Sequence, residues 1–261
     1  MRVLFIGDIY GKTGRVILKN NIACLKEQYA PDYVIANGEN TAGGKGITPT
    51  LLQELLSMGA DVVTSGNHIY ARKEILPAFS DENIKLLRPL NYAETCPGKG
   101  YTILKNGCSP LCVINVSGRA FMEPCDNTFY AVESVLDQVK KEARNIVVDF
   151  HGEATSEKAA FAWYFDGRVS AVIGTHTHVQ TADERILPFG TAFITDAGMT
   201  GPHEGIIGAS RDTVIEKFLT GMPAYFTSQE GRGQLNAVIL ELCEKTGKAI
   251  SIVRINSVEK D

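Results

Sequence analysis

Five short polar clusters in this chain each follow an apolar run: Gly7-Asp8, Gly38-Glu39-Asn40, Gly66-Asn67-His68, His151-Gly152-Glu153 and Thr175-His176-Thr177-His178. The chain has 5 histidines, and only His203 lies outside these clusters. The candidate ligands are Asp8, Glu39, Asn40, Asn67, His151, His176 and His178. This is a nitrogen and oxygen set without sulfur, and it exceeds the four donors of one tetrahedral zinc. It suits two neighbouring ions that share a bridging carboxylate. Two metals about 3.5–4 Å apart can clamp a phosphoryl group and hold a bridging hydroxide as nucleophile. Mixed imidazole, carboxylate and amide donors favour two Fe ions, and Mn or Zn would also be accepted. Two carboxylates and a hydroxide do not cancel two divalent ions. The pocket is therefore expected to be positive in an acidic chain and to attract an anionic phosphate ester.

His68 directly follows Asn67 and reads as a general acid for an alkoxide leaving group, because imidazole titrates near neutrality. An eighth ligand is the alternative. His176 and His178 alternate along what reads as an extended segment, which would place both imidazoles on one side. Each cluster alone also has the plainer reading of a turn or helix cap. Their gathering of most of the histidines at strand ends does not.

Other chemistry-bearing residues read more simply. Thr41 to Gly46 could cradle a phosphate, but no Gly-Lys-Ser/Thr opens the next helix, and a flexible turn serves as well. Lys45 and Arg119 could reach phosphate but read as solvated surface. Lys140 to Arg144 reads as an exposed helix end, Trp163 as a packed side chain and His203 as an exposed turn.

The elements that must position these groups alternate. Strands are expected near 2–7, 32–37 and 61–65, with helices near 15–29 and 48–56; in the first helix Val16, Ile17, Asn20, Cys24 and Leu25 fall at helical spacing. A βαβαβ start predicts parallel strands joined by right-handed crossovers. Residues 101–105 and 111–116 flank the hairpin signal Asn106-Gly107. Helices near 129–143 and 155–165 precede strands ending at His151 and His176. Short strands near 184–188 and 191–195, a helix near 211–219 and a hairpin of 235–242 with 249–255 complete the chain. Parallel βα units plus antiparallel hairpins imply an α/β fold of two packed sheets flanked by helices, an α/β/β/α sandwich. No linker interrupts the 261 residues, so one domain over 1–261 is expected.

The net charge is −4 and no basic run occurs, so no stable nucleic-acid binding is expected. No apolar stretch approaches the roughly 20 residues that span a bilayer. No signal-peptide pattern precedes the first strand, and the 6 cysteines form no CxxC pair, with only Cys108 and Cys112 spaced to sit close. A cytoplasmic location with reduced thiols follows as the default. The expected partner is a small molecule, and a homo-oligomer is compatible.

In chain order, Gly-Asp, Gly-Glu-Asn, Gly-Asn-His, His-Gly and Gly-Thr-His-Thr-His resemble the calcineurin-like metallophosphoesterase superfamily. Ile35-Ala36-Asn37-Gly38-Glu39-Asn40, Ala42-Gly43-Gly44, Ile173 to Thr181 and Thr195 to Pro202 are similar to its bacterial YmdB-type branch. The resemblance implies a four-layer sandwich and hydrolysis of 2′,3′-cyclic nucleotides. It implies one metal held by Asp8, Glu39, Asn40 and His178 and another by Glu39, Asn67, His151 and His176, with His68 as catalytic acid. The superfamily's usual Asp-x-His is here Asp8-Ile9-Tyr10, and Asn40 would fill the missing histidine's place. Where the branch commonly has Trp-Asp, this chain has Ile69-Tyr70-Ala71, and its later loop reads His203-Glu204-Gly205.

The expectation is a dinuclear metal-dependent phosphodiesterase. A phosphomonoesterase or nuclease on the same metal core is the rival within the enzyme class, and a regulatory nucleotide-binding protein with little turnover is the rival outside it. An amidohydrolase also uses His-x-His, but on the first strand of a barrel, whereas here the pair comes late.

Overall fold

The apolar runs that end in polar clusters are strands of two sheets. In the computed structural model of the protein, which describes residues 1–106 and 109–259, the first sheet holds β1 (Arg2–Ile6), β2 (Asp8–Ile9), β3 (Tyr33–Asn37), β4 (Val62–Thr64), β11 (Met199–Pro202), β12 (Gly233–Leu242) and β13 (Ala249–Val258). β1 pairs in parallel with β3, and β3 with β4, as the βαβαβ start requires. The other edge of β1 pairs antiparallel with β12, which also carries β13. Beyond Ile6 the chain leaves β12, and β11 enters between β12 and β2.

The second sheet runs β5 (Tyr101–Leu104), β6 (Leu111–Ser117), β7 (Asn145–His151), β8 (Ala171–Thr175), β10 (Ala192–Ile194) and β9 (Arg185–Ile186). β6, β7, β8 and β10 are parallel. Because β7 and β8 point the same way, His151 and Thr175 end up side by side in register.

Three apolar clusters hold these parts together. Alternate residues of β1 and β3 (Leu4, Ile6, Val34, Ala36) meet Ile17, Leu18, Ile22 and Leu25 of α1 (Gly11–Tyr29) and Leu52 and Leu55 of α2 (Pro49–Ser57). The opposite residues, Val3, Phe5, Tyr33 and Ile35, meet Val113, Val147, Ala171 and Ile173 of the second sheet. The far face of that sheet (Ile114, Val148, Phe150) packs on Val132 and Leu136 of α3 (Thr128–Glu142) and Phe161 of α4 (Thr155–Tyr164). The period of two along each strand sorts its side chains between two cores.

Several expectations are corrected. α1 begins at Gly11, and its buried stripe is Gly14, Ile17, Leu18, Ile22 and Leu25. Val16, Asn20 and Cys24 of the expected stripe face out. Trp163 is 54% exposed, because the buried face of α4 is Lys158, Phe161 and Ala162. A 3₁₀ segment at Lys73–Ser80 and the strand β11 were not expected. α5 (Arg211–Thr220) lies where its helix was expected. Gly107 and Cys108, and with them the hairpin turn and the Cys108–Cys112 spacing, lie outside the described residues. Among those described, Cys24, Cys96, Cys112, Cys125 and Cys243 are free, and no helix is long and apolar enough to cross a membrane.

Candidate metal centre

The C-terminal ends of β3, β4, β7 and β8 deliver side chains to one point. Ligand atoms of Glu39, His151 and His176 all lie within 4.8 Å of one another. His151 Nε2 is 3.1 Å from Glu39 Oε1, 3.2 Å from Asn67 Oδ1 and 3.1 Å from His176 Nδ1. Donors about 2.1 Å from one ion and at right angles to each other lie about 3 Å apart, so these spacings suit a shared cation.

Hydrogen bonding behind the histidines fixes which nitrogens face inward. Thr175 Oγ1 donates to Asp149 Oδ1 (2.6 Å). Its one proton is then spent, so it accepts from His151 Nδ1–H at 3.0 Å. Neutral His151 therefore presents the Nε2 lone pair. His176 Nε2 lies 3.2 Å from Glu153 Oε2, which leaves Nδ1 facing His151. Two imidazole lone pairs, an amide oxygen and a carboxylate thus converge, and mutual repulsion would disperse them unless positive charge sat among them. Such backing partners are what metal-binding histidines use.

The electrostatics agree. Burial alone would lower His151, but Glu39, Asp8 and Asp149 more than reverse this and push it up to about 9. Burial and then repulsion from His151 hold His176 down to about 3. Burial raises Glu39 too, yet His151 and His68 outweigh it and hold the carboxylate well below its ordinary range. Burial lifts Asp149 to about 7. The carboxylates around His151 thus favour positive charge at its ring.

Asp8 joins the group from β2. Its Oδ2 accepts the His176 N–H (3.2 Å), and its Oδ1 stands 3.8 Å from His151 Nδ1, buried and without a donor. Burial raises its pKa against the pull of His178 and His151. His178 Nδ1–H donates to Ile207 O (2.8 Å), which leaves Nε2 as its free donor atom. The ring meets Tyr10 edge-on, 5.5 Å between centroids. Asn40 Nδ2 donates to Gly44 O (3.0 Å), and its Oδ1 is buried without a donor. Orphaned acceptors of this kind are rare in a folded interior, and a cation would satisfy them.

The His176-Thr177-His178 segment is not extended. β8 ends at Thr175, and His176 and His178 have φ of 98° and 64°. Both side chains leave a left-handed turn that L residues adopt at a cost; His176 joins the Glu39–His151 group, and His178 packs on Tyr10. Asp196 holds this turn by accepting the Thr177 N–H (3.0 Å), and buried Lys158 donates to Asp196 Oδ2 (2.9 Å) and to Thr175 O (2.7 Å).

Two glycines are required by close approach. A Cβ at Gly66 would intrude on His151 and Glu39, so only glycine lets β4 deliver Asn67 and His68 here. A Cβ at Gly44 would strike the Tyr10 ring that flanks His178. The Thr41 to Gly46 segment is a turn, with Gly44 N donating to Asn40 O and Ala42 N to Gly46 O, and Arg15 and Arg72 hold its Thr41, Ala42 and Lys45 carbonyls.

His68 stands beside the group. Its N–H donates to Glu39 Oε2 (3.2 Å), and its Nδ1 is 3.3 Å from Glu39 Oε1 without hydrogen-bond geometry. The Tyr70 hydroxyl donates to Pro97 O (2.6 Å), and exposed His203 meets Gln234. Asp149, Lys158, Asp196 and Asn37 were given no role from sequence. Asn37 donates to Asp149 Oδ2 (3.0 Å) and accepts the Glu39 N–H (3.1 Å). Polar residues inside the apolar runs of β3 and β7 were the available signal.

The YmdB-like family model matches residues 4–255. The chain belongs to the YmdB-like family. A 2′,3′-cyclic-nucleotide 2′-phosphodiesterase of Bacillus subtilis is 49% identical over 255 residues, covering 98% of this chain and 96% of that one. The crystal structure of a hypothetical protein from Thermus thermophilus shares 41% identity and a TM-score of 0.93, with 100% of both chains covered. The crystal structure of a novel phosphatase of Mycoplasma pneumoniae shares 38% identity and a TM-score of 0.93, covering 100% of this chain and 94% of that one. At 16% identity and a TM-score of 0.64, a candidate 5′-nucleotidase of Staphylococcus aureus shares the fold; all of this chain matches 55% of that one.

Proposed function

We propose that this protein is a dinuclear metal-dependent phosphodiesterase that hydrolyses 2′,3′-cyclic nucleotides. It is a phosphoric ester hydrolase, built as one α/β/β/α four-layer domain of the metallophosphoesterase type over residues 1–261. The observation that carries this reading is the convergence of acceptor atoms from Glu39, Asn67, His151 and His176 on one point. The name of the Bacillus subtilis relative supplies the substrate class.

In this reading Asp8, Glu39, Asn40 and His178 hold one ion and Glu39, Asn67, His151 and His176 the other, with Fe, Mn or Zn as the metal. Bound there, the ions supply charge for the phosphoryl oxygens and activate a water. The chain's own residues do the rest. Thr175 and Asp149 keep His151 in the metal-binding tautomer. Asp196 and Lys158 hold the turn that carries His176 and His178. His68 has its Nδ1 edge against Glu39 and its side chain 27% exposed, so it is open to substrate and donates the proton to the departing ribose oxygen. The substrate is a diffusible small molecule, and the enzyme works in the cytoplasm. A second reading, a phosphomonoesterase on the same centre, is favoured by the name of the Mycoplasma pneumoniae structure.

Elemental analysis of purified protein, with rates on 2′,3′-cyclic AMP, linear diesters and monoesters, tests both. The expected result is two ions per chain and a preference for the cyclic diester. His68→Ala should keep its metal and lose roughly 10²–10⁴-fold in kcat, the range of general acid catalysis. Metal loss in that variant equal to the loss in Glu39→Ala would refute the acid assignment.

A further inference from the structure

The segment after β6 holds an aromatic ring in the open. Phe121 is 91% exposed and has φ of 61°. A phenylalanine in the left-handed region runs against backbone preference, and such strain concentrates at ligand sites. The surrounding chain is firmly held. The Arg119 N–H (3.0 Å) and Ala120 N–H (3.1 Å) both donate to the Glu157 carboxylate. The Arg119 guanidinium makes no hydrogen bond or ion pair among the described residues.

This segment adjoins the candidate metal centre. Ser117 pairs with His151 across β6 and β7, and the Gly118 N–H donates to His151 O (2.8 Å). Arg119, Ala120 and Met122 line a cavity of about 500 Å³ with Cys125, Phe129 and Glu157. That volume lies within the range of small-molecule sites. Phe121 lies in sequence between two of these lining residues, Ala120 and Met122, and its ring faces solvent.

We propose that Gly118 to Met122 is the base-recognition element of the enzyme, with the nucleobase of the substrate stacked on Phe121 and its polar edge met by Arg119. This rests on the phosphodiesterase reading above and adds to it a preference for esters that carry a planar heterocycle. Every base has a π-face, so stacking admits all four bases.

The test compares kcat/KM for 2′,3′-cyclic AMP with kcat/KM for glycerol 1,2-cyclic phosphate, which has the same five-membered phosphodiester ring and no base. Phe121→Ala should lower the ratio of the two by roughly 5- to 150-fold, the range of one base–aromatic stack, and Phe121→Trp should preserve it. Phe121→Gly relieves the backbone, so it should melt no lower than wild type while losing the same selectivity. A ratio within twofold of wild type in Phe121→Ala overturns the proposal. A fall of several degrees in the melting temperature of Phe121→Gly also overturns it, because the ring would then be structural. A wild-type protein inactive on both esters fails at the phosphodiesterase reading itself, and the base site falls with it.

Discussion

Lys158→Met isolates the device that holds the turn carrying His176 and His178. Both partners of the Lys158–Asp196 pair are wholly buried, 2.9 Å apart. Asp196 also accepts the Thr177 N–H (3.0 Å) and the Gly198 N–H (2.8 Å). Methionine fills much of the lysine stem's space but removes the ammonium, which leaves a buried carboxylate with backbone donors alone. Removing one partner of a buried pair costs about 3–5 kcal/mol. In a chain of this size about 1 kcal/mol moves Tm by roughly 2–4 °C, so Tm should fall by about 6–20 °C. The effect has a defined pH sign. Burial raises Asp196, but Lys158 outweighs it and holds the pKa below the ordinary value. That contribution is complete above the unfolded carboxylate range and fades as pH drops through the folded pKa. In the variant, only the backbone donors of Thr177 and Gly198 still oppose burial, so the balance shifts towards the neutral acid. The Tm gap between wild type and Lys158→Met should therefore narrow as pH falls. Scanning calorimetry of Lys158→Met, Asp196→Asn and the double variant reads this directly. The double variant should be more stable than the sum of the single losses implies. Metal content should fall with the turn. A Lys158→Met cost below about 1 kcal/mol, or additive losses in the double variant, would refute the reasoning.

Two further outcomes follow from the site. A histidine whose folded pKa lies near 9, against 6.5 unfolded, stabilises the fold fully below pH 6.5 and loses that contribution as pH rises through 9. Chelator-treated protein should thus lose up to about 3 kcal/mol of stability between those pH values, whereas metal-loaded protein, with a cation in the proton's place, should show a flatter profile in thermal melts; equal slopes would contradict the cation site. Gly66→Ala puts a methyl group against His151 and Glu39, and elemental analysis should find its metal lost while its circular dichroism stays native-like.

What the sequence made legible was the set of strand ends. β3, β4, β7 and β8 read clearly because each is a short apolar run closed by polar residues; parallel pairing aligns the ends of β3 with β4 in one sheet and of β7 with β8 in the other. What it hid was orientation. The Thr-His-Thr-His run reads as a continuing strand, but Asp196 captures the Thr177 N–H and bends it into a left-handed turn. Lys158 reads as one more helix lysine until α4 docks and buries it. β11 contains Gly201 and Pro202 and carries no strand signal; it pairs with the part of β12 that lies beyond the Ile6–Ala237 end of the β1 ladder.

The place of β1 bears on synthesis. Asp8 follows a strand wedged between β3 and β12, and β12 begins only at Gly233. At ribosomal speeds of about 5–20 residues per second, roughly ten to fifty seconds separate the two. Through that interval a nascent chain holds Asp8 beside an open seam, so this corner of the candidate centre is completed only by an almost finished polypeptide.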